Sequence, residues 1–477
     1  MAFDLNPSQR AAVEHNDGPD ARACGRGIRQ DACRHPRIAR LIEQGTPAWS
    51  ILALTFTNKA AQEMRERAAQ LTDAKSAKEL RVTTFHSFGL DFLRKECRAL
   101  GFRGDSFSIY DQSDCQAQLR ELLRGIDAGR KFDIAAILSR ISIAKNAFET
   151  EDNWNTRPGD EYDEIARVVY PKYIATLRSL QALDFDDLVT ETVSILSKRE
   201  DIRQKWVSKI RYMMVDEYQD TNASQLELVR LLAGDHHNVM VVGDDDQAIY
   251  GWRGADVNNI LDFEHHFHGT KVVKLEENYR SVASVLNVAN AVLAASKAKR
   301  HGKVLKPTRE AGPKVELVVC PDPEVEASAI ADEIQRSKSN DPSLKWRDIA
   351  VLYRSNSQGQ PVEIALRELG IPYRLLGGQK FYERKEVKDL LAYLRVALQP
   401  EEELSLRRVI NYPARGIGEV ALKKISAFAT IRDTTMWNAV QNAEAIDDLP
   451  PAGIEACAQF VHIVRSTRAV LESTKSL

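Results

Sequence analysis

A mixed α/β fold built on parallel sheets is the class this 477-residue sequence predicts, and three observations predict it. Short apolar runs recur, most are followed by a helical repeat of apolar positions, and the strand signal twice gives way to long amphipathic helices. The runs are Ile51-Leu52-Ala53-Leu54, Tyr212-Met213-Met214-Val215, Val239-Met240-Val241-Val242, Val315-Glu316-Leu317-Val318-Val319 and Ile349-Ala350-Val351-Leu352. Their continuous apolar character suits strands covered on both faces. Helical periodicity follows over Lys59 to Leu71 and Ser284 to Ala295, the rhythm of a doubly wound sheet. Between about Ser87 and Lys198 the spacing is helical instead, as in Ser113 to Arg124 and Glu164 to Leu183, which predicts a helical insertion. A second helix-rich stretch begins near Glu383 and runs to Leu477 with no polar tail or final cap, so the chain is expected to stop within a domain.

At roughly 100 to 200 residues per domain, the length suggests about three compact units. Apolar residues make up 43% and charged residues 28%, with 24 Gly and 17 Pro, which excludes disordered, collagenous and low-complexity chains. Lys and Arg total 66 against 68 Asp and Glu; with a net charge of -2, any site for a polyanion must be local. Cysteines at 24, 33, 97, 115, 320 and 457 show neither metal spacing nor a disulfide framework, and point to a reducing compartment. MAFDLNPSQR has no basic stretch leading into an apolar core, and no window reaches about 18 uninterrupted apolar residues. A soluble cytoplasmic protein is expected, without a membrane partner.

The strongest chemical signal is VDEYQD at 215–220, directly after an apolar run. A carboxylate at a strand's C-terminal edge can hold Mg²⁺ and its neighbour can take a proton from an attacking water, so Asp216 is the expected metal ligand and Glu217 the expected general base. A bare Asp-Glu pair would more simply be a solvated strand end; Gln219, Asp220 and the next motif tip the balance. That motif is VVGDDDQAIYGWRGAD at 241–256. Gln247 suits a γ-phosphate sensor, and Tyr250, Trp252 and Arg253 have the composition of a platform on which unpaired bases stack. Packing under a loop is the plainer reading for Tyr250, less so for a Trp between Gly251 and Arg253.

With these motifs the chain resembles the Rep/UvrD-type superfamily 1 DNA helicases, from residue 4 to the last. LNPSQRAAV at 5–13 resembles the family's adenine-reading motif, with Gln9 as the adenine-pairing amide. LTFTNKAAQEM at 54–64 and VTTFHSFG at 82–89 resemble its single-strand-contacting motifs, with Phe56, Thr57 and His86 at matching places. LEENYRS at 275–281 supplies Tyr279 to stack on adenine and Arg280 to reach the γ-phosphate, while VLYRSNSQ at 351–358 and GGQKFYERKEVKD at 377–389 match the second motor domain and its exit. On composition alone Arg280 would be a surface cation and Phe56 a core residue; the ordered set of motifs overrides both. The resemblance implies two RecA-like motor domains, each with a helical insertion, the second incomplete. The first comprises 1–86 and 195–275 around an insertion at 87–194; the second comprises 276–378, followed by a truncated insertion at 379–477. It also implies ATP and Mg²⁺ as cofactors, movement from 3′ to 5′, single-stranded and forked DNA as substrates, a monomer or DNA-induced dimer, and replication or repair proteins as partners.

Two departures stand out. The phosphate-binding loop GxxxxGKT/S, whose N–H groups cradle phosphates and whose lysine neutralises them, is absent. Residues 20–36 instead read DARACGRGIRQDACRHP, with four Arg and no Val or Leu where a buried first strand belongs. A central strand is not expected to bury so many guanidinium groups. One permitted back-translation of Asp20 to His35, read one base out of frame, spells TLVLAGAGSGKTRVVT, an apolar strand followed by an intact phosphate loop. Two compensating indels would account for the segment. The family's later DNA-coupling and arginine motifs should lie beyond residue 477, and the apolar surfaces they would cover should be exposed.

The sequence thus carries a helicase reading by family and, for the chain as it stands, an inactive one. Alternatives are the motor of a recombination helicase-nuclease and a non-enzymatic single-strand-binding remnant keeping Phe56, Tyr250 and Trp252. The basic stretch Lys297, Lys299, Arg300, Lys303 and Lys306 reads as a solvated helix end. Sequencing the gene through codons 18–38 tests the frame hypothesis: compensating single-base changes are the expected result, and in-frame codons for the printed residues would overturn it.

Overall fold

The computed structural model describes residues 5–15, 18–24, 31–102, 106–124, 132–150, 152–154, 159–376 and 385–473, with backbone alone at 20–24, 31–33, 404 and 419. The chain divides into two compact units, Met1–Val315 and Glu316–Leu477. Six strands organise the first: β1 (Asp20–Cys24), β2 (Ile51–Thr55), β3 (Arg81–Thr84), β4 (Tyr212–Val215), β5 (Val239–Gly243) and β6 (Lys271–Leu275). They are joined in the order β3-β2-β4-β5-β1-β6, and every pairing is parallel. Alternate residues feed opposite faces. Leu52, Leu54, Met213, Val215, Val239 and Val241 enter one apolar core, whereas Ile51, Ala53, Met214, Met240 and Val242 enter the other. This two-sided burial explains the unbroken apolar runs of the central strands.

β1 corrects an expectation. Despite its polar sequence, the segment lies between β5 and β6, with Asp20 opposite both Met240 and Lys271. The reason lies in the backbone. Strands on either side present N–H and C=O groups that a five-residue segment satisfies whatever its side chains. The helix that follows, Asp31–Glu43, carries Arg34, His35 and Arg37 into buried positions. Burial, reinforced by the Arg34 charge, holds the His35 imidazole down to about 4, so it is neutral at pH 7.

Between β3 and β4 the chain is almost wholly helical, with helices at Phe85–Lys95, Gln112–Arg124, Ile134–Asn146, Glu161–Ser179, Asp187–Lys198 and Glu200–Val207. A two-residue strand pair, Ser108–Ile109 with Ala182–Leu183, is the exception. The helices Phe85–Lys95 and Asp187–Lys198 approach so closely at Gly89 that an added Cβ would collide with the Leu188 carbonyl. In this region Lys145 is buried against Asp184 and Asp187, at 2.7 and 2.6 Å.

The second unit is helical. Helices Pro323–Asn340 and Asn356–Glu368 share a small core through Ala327, Ala331 and Leu366. Helices from Lys385–Leu398 to Pro451–Ser473 enclose another around Val396, Ile425, Trp437 and Phe460. The strands expected at 315–319 and 349–352 are not formed. No strand pairs with either run among the described residues, and Leu317 and Leu352 are 90% and 91% exposed. An apolar run predicts a strand only where a neighbouring edge exists to complete its ladder; the expected exposure of apolar surface is found here. No described helix is long and apolar enough to cross a membrane.

The Gly89 contact yields a test. In an open helix Gly→Ala stabilises by about 1 kcal/mol; here overpacking should reverse the sign, so Gly89→Ala is expected to lower stability by about 1–3 kcal/mol. Urea denaturation of the chain measures it, and a stabilised variant would contradict the close helix approach.

Candidate functional site

Because all six strands run in one direction, their C-terminal ends share one edge, where ligands bind in open α/β sheets. The expected site residues of the first unit follow this edge. Phe56 and Thr57 follow β2, and His86 follows β3. Asp216 and Glu217 follow β4, Gln247 to Arg253 follow β5, and Tyr279 and Arg280 follow β6. Gln9 lies on the helix Pro7–Glu14, whose Ala12 and Val13 share a core cluster with Val273 and Leu275 of β6.

Local structure sets each side chain. Thr57 is exposed and caps the helix Asn58–Leu71, its Oγ1 accepting from the Ala60 N–H at 3.1 Å. Phe56 is half-buried, edge-on to Phe85 at 5.8 Å, so it is both core support and partly exposed ring. Thr84 ends β3 and caps the helix that presents His86. His86 meets Phe185 edge-on at 6.1 Å, and Phe185 is 53% exposed. Sequence reasoning missed Phe185, although an aromatic between acids in LDFDDL is an odd residue to leave exposed. Tyr250 and Trp252 are exposed, Trp252 by 63%, with ring centres 6.5 Å apart. The Arg253 guanidinium lies 4.5 Å from the Trp252 ring and 5.6 Å from that of Tyr250. Packing beneath a loop is excluded for both rings.

The acidic centre is held by one amide. Gln219 is buried; its Oε1 accepts from the Asp244 N–H at 2.8 Å and its Nε2 donates to Glu217 at 3.0 Å, tying the β4 loop to the β5 loop. Gly243 leaves room for it, since a Cβ there would stand 2.6 Å from Gln219 Oε1 and 2.7 Å from Ile260. Glu217 adopts a left-handed backbone, φ 49°, a costly conformation for a non-glycine residue that is common at functional sites. Burial and then the neighbouring Asp216 charge raise the Glu217 pKa, making it a better proton acceptor. Burial and then Glu217 push Asp220 up to about 6. Gln247 donates to the Asp244 carboxylate, which caps the turn that carries it.

Lys303 requires a second correction. Far from solvated, it is buried with its Nζ 2.5, 2.6 and 3.3 Å from carboxylate oxygens of Asp244, Asp245 and Asp246. Arg300 pairs with Asp246, Lys299 with Asp262 and Lys306 with Glu276. Lys303 and Arg300 are therefore spent on internal acids, whereas Lys297, Lys299 and Lys306 stay exposed, as the sequence reading expects. Burial opposes ionisation of Asp245, yet hydrogen bonds from His301 and Lys303 hold its carboxyl below the usual range. Only the fold reveals this pairing, across 58 residues of sequence.

At the β6 end, Asn6 caps the helix of Gln9, and its Nδ2 donates to Glu277 at 3.0 Å and to the Tyr279 hydroxyl at 3.2 Å. Gln9 is buried; its Oε1 accepts from the Asn6 N–H, while its Nε2 has no hydrogen-bond partner among the described residues. The exposed Arg280 is aimed by Asn278, whose Oδ1 accepts from the N–H groups of Arg280 and Ser281 at 3.0 and 2.9 Å. A buried amide lacking a partner, on a helix whose cap Asn6 bonds Tyr279, fits a nucleotide base.

The metal side does not fit as it stands. Asp216 is buried, one carboxylate oxygen paired with the Arg34 guanidinium and the other without a hydrogen-bond partner among the described residues. The three carboxylates at 244–246 lie within 4.8 Å of one another, but Lys303 sits among them. Mg²⁺ requires open oxygen ligands, and both acidic groups already face a fixed cation. Residues 25–30, where phosphates would be cradled, and 377–384 of the GGQKFYERKEVKD motif lie outside the described residues.

Comparison with known proteins gives the family. The pattern of the UvrD/REP helicase N-terminal domain matches residues 5–268, and that of the UvrD-like helicase C-terminal domain matches 273–444. The chain is 38% identical over 469 residues to the ATP-dependent DNA helicase Rep of Escherichia coli, covering 98% of this chain and 69% of that protein. It is 38% identical over 445 residues to the ATP-dependent DNA helicase PcrA of Bacillus subtilis, covering 93% and 60%, and 36% identical over 465 residues to PcrA of Staphylococcus aureus, covering 97% and 63%. The chain thus spans about two thirds of its relatives' length, and it belongs to the UvrD/Rep helicase family.

Proposed function

We propose that the chain has the frame of an ATP-dependent 3′-to-5′ DNA helicase and single-strand translocase of the Rep type, acting in replication or repair, with its DNA half intact and its ATP half disabled. The observation that carries this reading is the exposed platform of Tyr250, Trp252 and Arg253 on the same loop as Gln247. That loop is joined through Asp244 and Gln219 to Glu217. In the working frame, Gln9 and Tyr279 hold adenine, Glu217 takes a proton from the attacking water, and Gln247 and Arg280 meet the γ-phosphate. Phe56, Thr57, His86, Tyr250, Trp252 and Arg253 follow the DNA strand, with Phe185 beside His86. A divalent metal, were one held at Asp216, would supply charge neutralisation for the phosphates. Here Arg34 and the missing phosphate-loop lysine stand against it. The expected substrates are single-stranded and forked DNA in the cytoplasm, bound by a monomer or a DNA-induced dimer.

A purely DNA-binding remnant is what this disabled state amounts to for the chain as it stands, and one experiment separates it from a working helicase. Titration of a fluorescent oligo(dT) should give the same affinity with and without ATP and Mg²⁺, and no DNA-stimulated ATP hydrolysis. Hydrolysis by the purified 477-residue chain would refute the disabled ATP half. Trp252→Ala should weaken the oligonucleotide by about 5- to 150-fold, as expected for about 1–3 kcal/mol per stacked base. Unchanged affinity would remove the platform from the DNA path.

A further inference from the structure

Arg34 stands in the stretch where the chain departs from its family, on the helix Asp31–Glu43, and its guanidinium reaches the Asp216 carboxylate. Both side chains are 7% exposed. At that depth the charges are little screened, and each needs the other to offset its lost hydration. Asp216 is fixed from behind as well, its N–H donating to the Leu54 carbonyl at 3.0 Å at the end of β4, so the carboxylate cannot swing away with its backbone. Among the described residues, Glu217, half-buried, and His35, buried and neutral at pH 7, face this pair.

We propose that Arg34 is a built-in cation occupying the metal position of Asp216, so that this chain excludes a divalent ion from its acidic pair. The inference rests on Asp216 being the carboxylate that the helicase frame would use for a metal. A divalent ion brought to the free oxygen of Asp216 would lie within a few ångströms of a guanidinium that cannot lose its proton. Like-charge repulsion at that separation in a buried place opposes binding strongly. Lys303 gives the precedent within the same fold: the neighbouring trio of carboxylates is likewise filled by an internal base.

The test uses Mn²⁺ alone, followed by the electron paramagnetic resonance signal of the free ion, on the full chain without nucleotide. The unaltered chain should show no Mn²⁺ that depends on Asp216, so Asp216→Asn in that background should leave the titration unchanged. Arg34→Met should gain one Mn²⁺ per chain, bound at least about ten-fold more tightly than anything the unaltered chain holds at this place, consistent with removal of a like charge. The double variant Arg34→Met/Asp216→Asn should lose it again, and Arg34→Lys, which keeps a cation, should not gain it. Mn²⁺ binding by the unaltered chain that Asp216→Asn abolishes would overturn the proposal, as would a folded Arg34→Met chain with no gain. If Arg34→Met fails to fold, the Asp216→Asn comparison in the otherwise unaltered chain decides the matter by itself. Oligonucleotide binding by the same preparations separately reports whether the DNA half is as proposed.

Discussion

Six strands hydrogen-bonded in parallel impose one constraint from which the arrangement of the first unit follows: every strand must finish at the same edge. Residues separated by more than 200 positions, from Phe56 to Arg280, are thereby collected along a single line of loops. The strand order gives that line a direction. β3 and β2, with His86, Phe56 and Thr57, form one end, β4 and β5, with the acids and Gln247, form the middle, and β6, with Tyr279, Arg280 and the helix of Gln9, forms the other.

Polar links in a low-dielectric setting turn this line into a coupled unit. Gln219 is satisfied on both ends of its amide, by the Asp244 N–H and by Glu217, and Gly243 is the residue whose missing side chain makes space for it. Such a bond in the interior has no water to replace it, so the β4 and β5 loops move together or at appreciable cost. Lys303 closes the same loop from outside the sheet. With Arg300 on Asp246, it offsets much of the repulsion among three consecutive acids beside Gln247. The left-handed Glu217 is held in this frame, its carboxylate turned toward Gln219 and its pKa lifted by burial.

The two halves of the site carry different chemistry and have met different fates. The aromatic platform depends on exposed flat rings and a guanidinium stacked on them, features that need only a short loop to present them. A metal site depends on unpaired carboxylate oxygens, and at Asp216 one of the two is taken by a buried arginine of the helix that follows β1. Belonging to the UvrD/Rep family therefore says more about the frame than about what this particular chain can hydrolyse.

Legibility in the sequence followed burial. The central strands β2, β4 and β5 were readable because two covered faces demand unbroken apolar runs, and the helices at Asn58–Leu71, Gln112–Arg124 and Ala283–Ala294 because one covered face demands a helical repeat. The edge strands β3 and β6 escaped notice, since RVTT and KVVKL are covered on fewer sides and read as mixed. β1 was illegible, its place assigned by backbone pairing that side chains do not encode, and the runs at 315–319 and 349–352 carried a strand signal without a partner edge. The site motifs were identifiable by residue type and spacing, because chemistry fixes which groups must follow a strand. What the amino-acid order determined by itself was the α/β class, the family's ordered motifs and the loss of the phosphate-loop lysine. Which charges meet was decided only by tertiary structure: Arg34 on Asp216, Lys303 among three aspartates and Phe185 against His86 are contacts between distant segments, and ion pairs and ring contacts form by proximity in space rather than along the chain.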